Sequence, residues 1–273
     1  MPRLSPDTVT LDGHAHRYYT AHPLRRAGHP VVALHGFGTD ARATFQPAAK
    51  PLIDRGVSLY APDLLGFGRS AKPDIAYSLH RYAALCVAFA DRMALEAPVL
   101  LGHSMGGKIA AATMALHPRR FAGLVLVAPG GFSWMAPWVP SVASSNWANA
   151  LLQNAWFQQT VLPLFPGGRL LARPQSLRQL QRLRHSHYAL DLDATGLRDQ
   201  LGDINRPAQL IWGDDDAILP DATVARIRRQ VPGLTVRRFH DAGHFVMRDR
   251  PKAFADAVQD FAGTLAERGD SLP

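Results

Sequence analysis

Apolar and polar residues are arranged in two kinds of segment along the first half of the chain. Four segments carry near-continuous apolar runs that end in glycine-containing turns, at 29–38, 56–70, 97–107 and 122–131. Longer stretches between them, at 80–95 and 107–117, carry apolar residues at helical spacing. Apolar strands separated by helices are typical of a parallel sheet whose two faces are both covered. The pattern therefore predicts an α/β fold with a mostly parallel sheet.

Two segments depart from this alternation. Near the start, TVTLDG and HAHRYYT flank a turn at Asp12-Gly13, which predicts an antiparallel hairpin at one edge of the sheet. From about Phe132 to Arg206 no buried strand is recognisable, and helical stretches are punctuated by prolines. We interpret this second segment as a helical insertion into the α/β domain.

The α/β pattern returns in the last quarter of the chain. Strands are predicted at 207–213 and 234–244, and an amphipathic helix from about Lys252 to Arg268. The predicted organisation is one core, made of residues 1–131 and 207–273, with a helical cap at 132–206.

Charge and composition exclude several classes of protein. The net charge is +8, but the 30 basic residues are 26 arginines and 4 lysines, which are mostly scattered. No block of like charge and no nucleic-acid-binding module is recognisable, so we expect no nucleic-acid partner. No apolar run approaches the roughly 18 residues of a membrane span, and no signal peptide is recognisable at the start. We therefore expect a cytoplasmic protein, whose oligomeric state the composition leaves open.

A single cysteine excludes an internal disulfide framework and a cysteine-based metal site. Cys86 lies in a stretch with helical periodicity and is predicted to be a buried structural thiol.

The strongest local motif is Gly102-His103-Ser104-Met105-Gly106, between a predicted strand and a predicted helix. Gly-x-Ser-x-Gly at such a junction forms a sharp turn that raises the serine above the sheet edge. The flanking glycines are needed there because a Cβ would collide with a neighbouring strand or helix. The alternative is a glycine-rich turn with an incidental serine, but the strand–turn–helix context favours a nucleophile.

With this motif, nearly the whole chain resembles the α/β-hydrolase family. His35-Gly36-Phe37-Gly38 is similar to the oxyanion segment of that family, and residues 62–70 resemble its glycine-rich loop. Residues 212–216 (WGDDD) resemble the turn that bears the acid, and residues 242–245 (AGHF) resemble the histidine loop. The order serine, aspartate, histidine is also the one that the family shows.

The resemblance implies a catalytic triad of Ser104, Asp216 and His244. Asp216 is the third residue after the glycine of Trp-Gly, whereas Asp214 and Asp215 are expected to be solvated turn residues. His240 is the alternative base, but it lacks the glycine-containing loop.

Other histidines fit the role of base less well. His35 belongs to the His-Gly turn, and His103 is expected to point away from the catalytic centre.

The resemblance also implies an oxyanion hole formed by the backbone N–H groups of Phe37 and Met105. No cofactor is required by such a triad. Gly66-Phe67-Gly68 lacks the spacing of a dinucleotide-binding fingerprint.

The predicted cap holds four of the five tryptophans of the chain. Trp134, Trp138 and Trp156 are candidates for an apolar substrate pocket. The alternative is that they form the core of the cap itself. His185, His187, Asp191 and Asp193 match no standard metal signature, so no metal site is expected.

The predicted function is a serine hydrolase that cleaves small carboxylic esters with an apolar acyl or alkyl part, through an acyl-enzyme on Ser104. The closest alternative is a carbon–carbon bond hydrolase of ring-cleavage products, whose members usually carry Asn before the serine and Trp after the histidine. This chain has His103 and Phe245 at those positions. A haloperoxidase or perhydrolase, and a hydrolase-like ligand receptor, also remain open.

Overall fold

The computed structural model describes residues 3–132, 190–193 and 195–267 of the chain. Within these ranges, eight strands form one sheet in the order β1-β2-β4-β3-β5-β6-β7-β8. The strands are β1 (Ser5–Leu11), β2 (His14–Ala21), β3 (Val31–Leu34), β4 (Leu59–Pro62), β5 (Val99–His103), β6 (Gly123–Val127), β7 (Ala208–Gly213) and β8 (Thr235–Phe239). Strand β2 is antiparallel to β1 and β4, and every pair from β4 to β8 is parallel. The predicted α/β class and mostly parallel sheet are confirmed.

The predicted N-terminal hairpin is present at the edge of the sheet. Leu11 of β1 pairs with His14 of β2. The two residues between them, Asp12 and Gly13, have φ values of 49° and 72°. Positive φ at both central residues defines the type I′ turn that suits the twist of a two-stranded ribbon.

Helices cover both faces of the sheet. They are α1 (Ala41–Asp54), α2 (Leu79–Arg92), α3 (Met105–Leu116), α4 (Leu197–Gln200), α5 (Ala222–Gln230), α6 (Val246–Asp249) and α7 (Pro251–Glu267), with short 3-10 helices at Pro118–Arg120 and Leu201–Asp203. None of these helices is both long and apolar enough to cross a bilayer.

Alternate residues of the central strands belong to two separate cores. On β5, Leu100 packs in a cluster with α2 and α3, whereas Val99 and Leu101 pack in a second cluster with α1 and α7. Because successive side chains of a strand point to opposite faces, an all-apolar strand supplies both layers.

Helix α1 is one of three helices, with α5 and α6, that the sequence patterns did not identify. It contains Pro47 and Pro51, which normally interrupt a helix because they lack an N–H donor. The helix nevertheless begins at a capping residue, since the side chain of Asp40 accepts a hydrogen bond from the N–H of Ala43 (2.7 Å). Its apolar face, which includes Phe45 and Leu52, is fully buried, and this packing outweighs the proline penalty.

The segment that follows the undescribed stretch returns to the core. Leu192, Leu197 and Leu201 are fully buried in the same cluster as α3. The predicted boundaries of the cap, 132 and 206, remain predictions, because residues 133–189 lie outside the described part of the chain.

The topology brings the chemistry-bearing loops to one side of the sheet. The carboxyl ends of parallel strands lie at the same edge. Strands β3, β5, β7 and β8 therefore end beside one another, and the loops that follow them carry, in chain order, His35, Ser104, Asp216 and His244.

Candidate active site

Ser104 lies at the predicted strand–turn–helix junction. Strand β5 ends at His103 and helix α3 begins at Met105. Ser104 itself has φ 53° and ψ −117°, a conformation that costs a side-chain-bearing residue about 1–3 kcal/mol. Hydrogen bonds hold it there: its N–H donates to the carbonyl of Val127 (3.0 Å), and its carbonyl accepts from the N–H groups of Gly107 and Gly130 (both 2.9 Å).

The two glycines of the motif allow the close approach of neighbouring backbone. A Cβ added at Gly102 would lie 2.2 Å from the carbonyl oxygen of Gly106. A Cβ added at Gly106 would lie 2.3 Å from the carbonyl oxygen of Leu34 on β3. Both separations are far below van der Waals contact, which confirms the steric reason predicted for these glycines.

Asp216 and His244 form a buried hydrogen-bonded pair. The Nδ1 of His244 lies 2.8 Å from Oδ2 of Asp216, and the side chains are 4% and 1% exposed. The other carboxylate oxygen, Oδ1, accepts from the backbone N–H groups of Ile218 (2.8 Å) and Leu219 (2.9 Å). Because both oxygens are engaged, the plane of the carboxylate is fixed, and it receives the Nδ1–H of His244.

The alternative acid and base lie elsewhere in the same loops. The side chain of His240 is 90% exposed, and its Nδ1 pairs with Asp214 at 2.5 Å. Asp214 is also paired with Arg238, and Asp215 is exposed. Of the three aspartates, Asp216 is therefore the one that contacts a buried histidine.

The segment after β3 lies directly against Ser104. A Cβ added at Gly36 would lie 3.1 Å from the Cβ of Ser104. Phe37 follows Gly36, is half-buried, and packs its ring edge-on against Phe67 at 6.2 Å between centroids. Met105 is the first residue of α3, and the first N–H groups of a helix have no partner within the helix.

His35 and Asp63 fasten this segment to the loop after β4. The Nε2 of His35 accepts from the N–H of Leu64 (3.0 Å), so Nδ1 carries the proton and donates to the carbonyl of Gly36 (2.8 Å). Burial lowers the pKa of His35, although the charge of nearby Asp63 opposes this effect in part. Asp63 accepts from the N–H of Ala41 (2.9 Å), the first residue of α1.

The family of the chain follows from its sequence. A family model described as "Alpha/beta hydrolase family" matches residues 31–257, which include strands β3 to β8 and every residue of the site described above. The chain belongs to the alpha/beta hydrolase family.

Proteins that are similar to this hydrolase have diverse names. The chain is 26% identical over 246 residues to the 2-hydroxy-6-oxo-2,4-heptadienoate hydrolase of Pseudomonas putida, an alignment that covers 86% of this chain and 89% of the relative. It is 27% identical over 256 residues to Lipase 1 of Psychrobacter immobilis, covering 88% and 78% of the two chains. Among solved structures, a bacterial membrane phospholipase A is 25% identical with a TM-score of 0.72, covering 96% of this chain and 87% of that one.

Two residues of this hydrolase site have contacts that the sequence patterns did not indicate. Asp63 was noted only as part of a glycine-rich loop, yet it links that loop to α1. His103 was expected to point away from the catalytic centre, which is wrong: its ring lies 4.9 Å from the ring of His244, centroid to centroid. The only indication in the sequence that His103 belongs to the site was its position directly before the predicted nucleophile.

Some predicted site residues lie outside the described part of the chain. These are the candidate pocket residues Trp134, Trp138 and Trp156, and the histidines His185 and His187. Within residues 3–132, 190–193 and 195–267, no group of three or more His, Cys, Asp or Glu side chains is arranged to hold a metal ion.

Proposed function

We propose that this chain is a serine hydrolase that cleaves carboxylic esters, with Ser104 as nucleophile, His244 as general base and Asp216 as its orienting acid. The observation that carries the proposal is the buried Asp216–His244 pair, with its 2.8 Å hydrogen bond, at the sheet edge that also bears Ser104. A histidine fixed by a buried carboxylate is the base that activates a serine hydroxyl.

The hydrogen bond between the two side chains sets the tautomer of the base. Because Asp216 accepts the Nδ1–H of His244, the Nε2 of the neutral ring carries the lone pair. That nitrogen takes the proton of Ser104 as Oγ attacks the carbonyl carbon of the ester. The carboxylate of Asp216 then stabilises the imidazolium that forms.

The reaction proceeds in two half-reactions, the acylation and the deacylation of Ser104. The first tetrahedral intermediate collapses, the carbon–oxygen bond to the alcohol breaks, and the alcohol leaves with the proton from His244. Water then attacks the acyl group on Ser104 while His244 accepts a proton from it. Collapse of the second intermediate returns that proton to Ser104 and releases the carboxylic acid. No cofactor takes part in these steps.

The oxyanion formed in each half requires two hydrogen-bond donors. We assign this role to the backbone N–H groups of Phe37 and Met105. The assignment is supported by the contact of Gly36 with Ser104 and by the position of Met105 at the start of α3. His35 and Asp63 support it indirectly, because their hydrogen bonds fix the ends of the segment that bears Phe37.

The substrate that we propose is a small ester with an apolar acyl or alkyl part. The names of Lipase 1 and of the phospholipase structure support ester chemistry in relatives of similar length. Trp134, Trp138 and Trp156 of the predicted cap remain candidates for the apolar wall of the pocket.

The second candidate function is hydrolysis of a carbon–carbon bond in a ring-cleavage product. It is favoured by the 26% identity to the Pseudomonas putida dienoate hydrolase. It is disfavoured by His103 and Phe245, which differ from the usual Asn and Trp of such enzymes. The rings of these two residues contact each other, with centroids 4.9 Å apart, so they form one packed unit beside His244.

A substrate panel tests the proposal and separates the two candidates. We expect the purified protein to hydrolyse p-nitrophenyl acetate, butyrate and octanoate over multiple turnovers, and to act on a 2-hydroxy-6-oxo-dienoate at least about 100-fold less efficiently in kcat/KM, a difference of about 2.7 kcal/mol. Ser104→Ala should lower ester kcat/KM at least about 1,000-fold.

A higher kcat/KM for the dienoate than for the esters would assign the carbon–carbon bond hydrolysis to this protein instead. A single slow turnover with no steady state would favour the ligand receptor. Retained ester hydrolysis in Ser104→Ala would exclude Ser104 as the nucleophile.

A further inference from the structure

His103 is a fully buried histidine next to the proposed nucleophile in the chain and in contact with the proposed base. It precedes Ser104 in the chain, and its side chain reaches across to the loop after β8. Its Nε2 lies 3.0 Å from the backbone carbonyl oxygen of His244, a residue 141 positions away. Its ring also packs against the rings of His244 and Phe245, each at 4.9 Å between centroids.

The hydrogen bond fixes the tautomer of His103. A carbonyl oxygen can only accept, so Nε2 carries the proton and donates it to His244. The other nitrogen, Nδ1, is buried and has no hydrogen-bond partner among the described residues. It faces Gly36, where an added Cβ would lie 3.0 Å from it.

This environment keeps the ring neutral. Burial lowers the pKa of His103 well below the ordinary value, and the charge of a protonated His244 lowers it further. Protonation of Nδ1 would place a charged donor against the Gly36 backbone without an acceptor, which is costly in a buried site. His103 therefore supplies a donor to the His244 loop without adding a positive charge beside the base.

Other hydrogen bonds fix the residues on either side of His244: the carbonyl of Ala242 accepts from the N–H of Asp215 (3.0 Å), and that of Phe245 accepts from the N–H of Arg248 (2.8 Å). The N–H of Gly243 donates to the carboxylate of Asp249 (2.9 Å), and α6 begins at Val246. Asp216 holds the imidazole of His244 at Nδ1, but a hydrogen bond at one ring atom leaves rotation about that contact. The bond from His103 fixes the backbone of the same residue, and the ring contact limits its tilt.

We propose that His103 is a positioning residue that holds the backbone and ring of His244 in the orientation from which Nε2 reaches Ser104. This inference rests on the proposed function, since it takes His244 as the general base. A misplacement of about 1 Å in such a group can lower the rate of the chemical step by about 100-fold. The effect should fall on kcat, because the buried ring of His103 contacts the proposed base and would act on the chemical step through it.

Three substitutions separate the hydrogen bond from the packing of the ring. His103→Phe keeps an aromatic ring but removes the donor. His103→Gln keeps a neutral amide donor that extends about as far as the imidazole Nε2. His103→Asn keeps an amide that is too short to reach the carbonyl of His244, and it also provides the test if His103→Phe does not fold.

The experiment combines ester kinetics with a measurement that does not depend on turnover. We expect His103→Phe and His103→Asn to lower kcat about 10- to 100-fold with KM changed less than about threefold. His103→Gln should recover most of kcat. By proton NMR, the downfield Nδ1–H resonance of His244, identified by its loss in Asp216→Ala, should persist in the wild type and His103→Gln and broaden or vanish in the other two.

The outcomes distinguish this inference from the proposed function. Wild-type kcat and an unchanged resonance in folded His103→Phe or His103→Asn would overturn the inference and leave the proposed function intact. Equal loss of kcat in His103→Gln and His103→Phe would also overturn it, because a restored donor would then recover no activity. If the wild type were no better than Ser104→Ala on esters, the proposed function would fail, and the NMR series would still decide whether His103 orders His244.

Discussion

At the scale of single residues, the turn after β7 places three neighbouring carboxylates in different surroundings. Asp214 is paired with Arg238 and with the exposed His240, whereas Asp215 is exposed. Asp216 alone among them is buried against His244. An ion pair between a carboxylate and an exposed cation contributes little to stability, because solvent screens the two charges.

Substitution of each aspartate by asparagine should therefore have unequal effects on ester hydrolysis. We expect Asp216→Asn to lower kcat about 10³- to 10⁴-fold, because an amide can donate to Nδ1 and so stabilise the wrong tautomer of His244. Asp214→Asn and Asp215→Asn are the matched controls and should stay within about threefold of the wild type. Steady-state kinetics of the three variants decide the matter, and the assignment of the acid is refuted if Asp215→Asn is the most damaging.

The choice of Ser104, Asp216 and His244 could be made from the chain because each lies in a local motif. The loops that carry them follow parallel strands of one sheet, and the side chains of Asp216 and His244 are in contact. The contact of His103 with His244 could not be predicted, because the two residues are 141 positions apart and no local pattern encodes it. The hydrogen bond from Leu64 to His35 likewise joins residues 29 positions apart.

At the scale of elements, the junction of β5 and α3 leaves little space for side chains. Helix α3 starts one residue after Ser104, so it approaches β3 and β5 with no room for a side chain at Gly102 or Gly106. The strained conformation of Ser104 persists because the surrounding hydrogen bonds and contacts determine it.

Gly102→Ala should destabilise the protein strongly, because its Cβ would lie 2.2 Å from a backbone oxygen. We expect a loss of about 3 kcal/mol or more in unfolding free energy, and a Tm lower by about 6 °C or more. Gly202→Ala is the matched control, since a Cβ there meets nothing within 4 Å. Thermal unfolding followed by circular dichroism compares the two, and similar Tm values would contradict the steric account.

The elements that the sequence predicted best are those with near-continuous apolar runs. The buried strands at 97–107 and 122–131 contain β5 and β6, and the predicted ends overshoot because glycine-rich turns follow. Helix α1 was not predicted, because Pro47 and Pro51 interrupt its sequence and are normally read as helix breakers. Pro47 lies on the exposed face of the helix. Tertiary burial of the opposite face outweighs the local cost there.

At the scale of the whole molecule, the order of the strands explains how distant segments form one site. Strands β3, β5, β7 and β8 are far apart in sequence but parallel in one sheet, so their carboxyl ends share an edge. The net charge is +8, and four of the arginines, Arg55, Arg81, Arg120 and Arg237, pair with surface aspartates. The predicted cap at 132–206 would follow β6 in the chain, and the carboxyl end of β6 belongs to the same edge.

The central claim is that Ser104 carries the acyl group during turnover, and trapping that species tests it most directly. The protein would be incubated with p-nitrophenyl butyrate, quenched in acid within milliseconds, and analysed by intact mass and peptide mapping. We expect one butyryl group on the peptide that contains Ser104, and a burst of p-nitrophenol equal to the enzyme concentration if deacylation is the slower half. Ser104→Ala should show neither. Hydrolysis at the wild-type rate by Ser104→Ala, or an acyl group on another residue of a competent enzyme, would contradict the account.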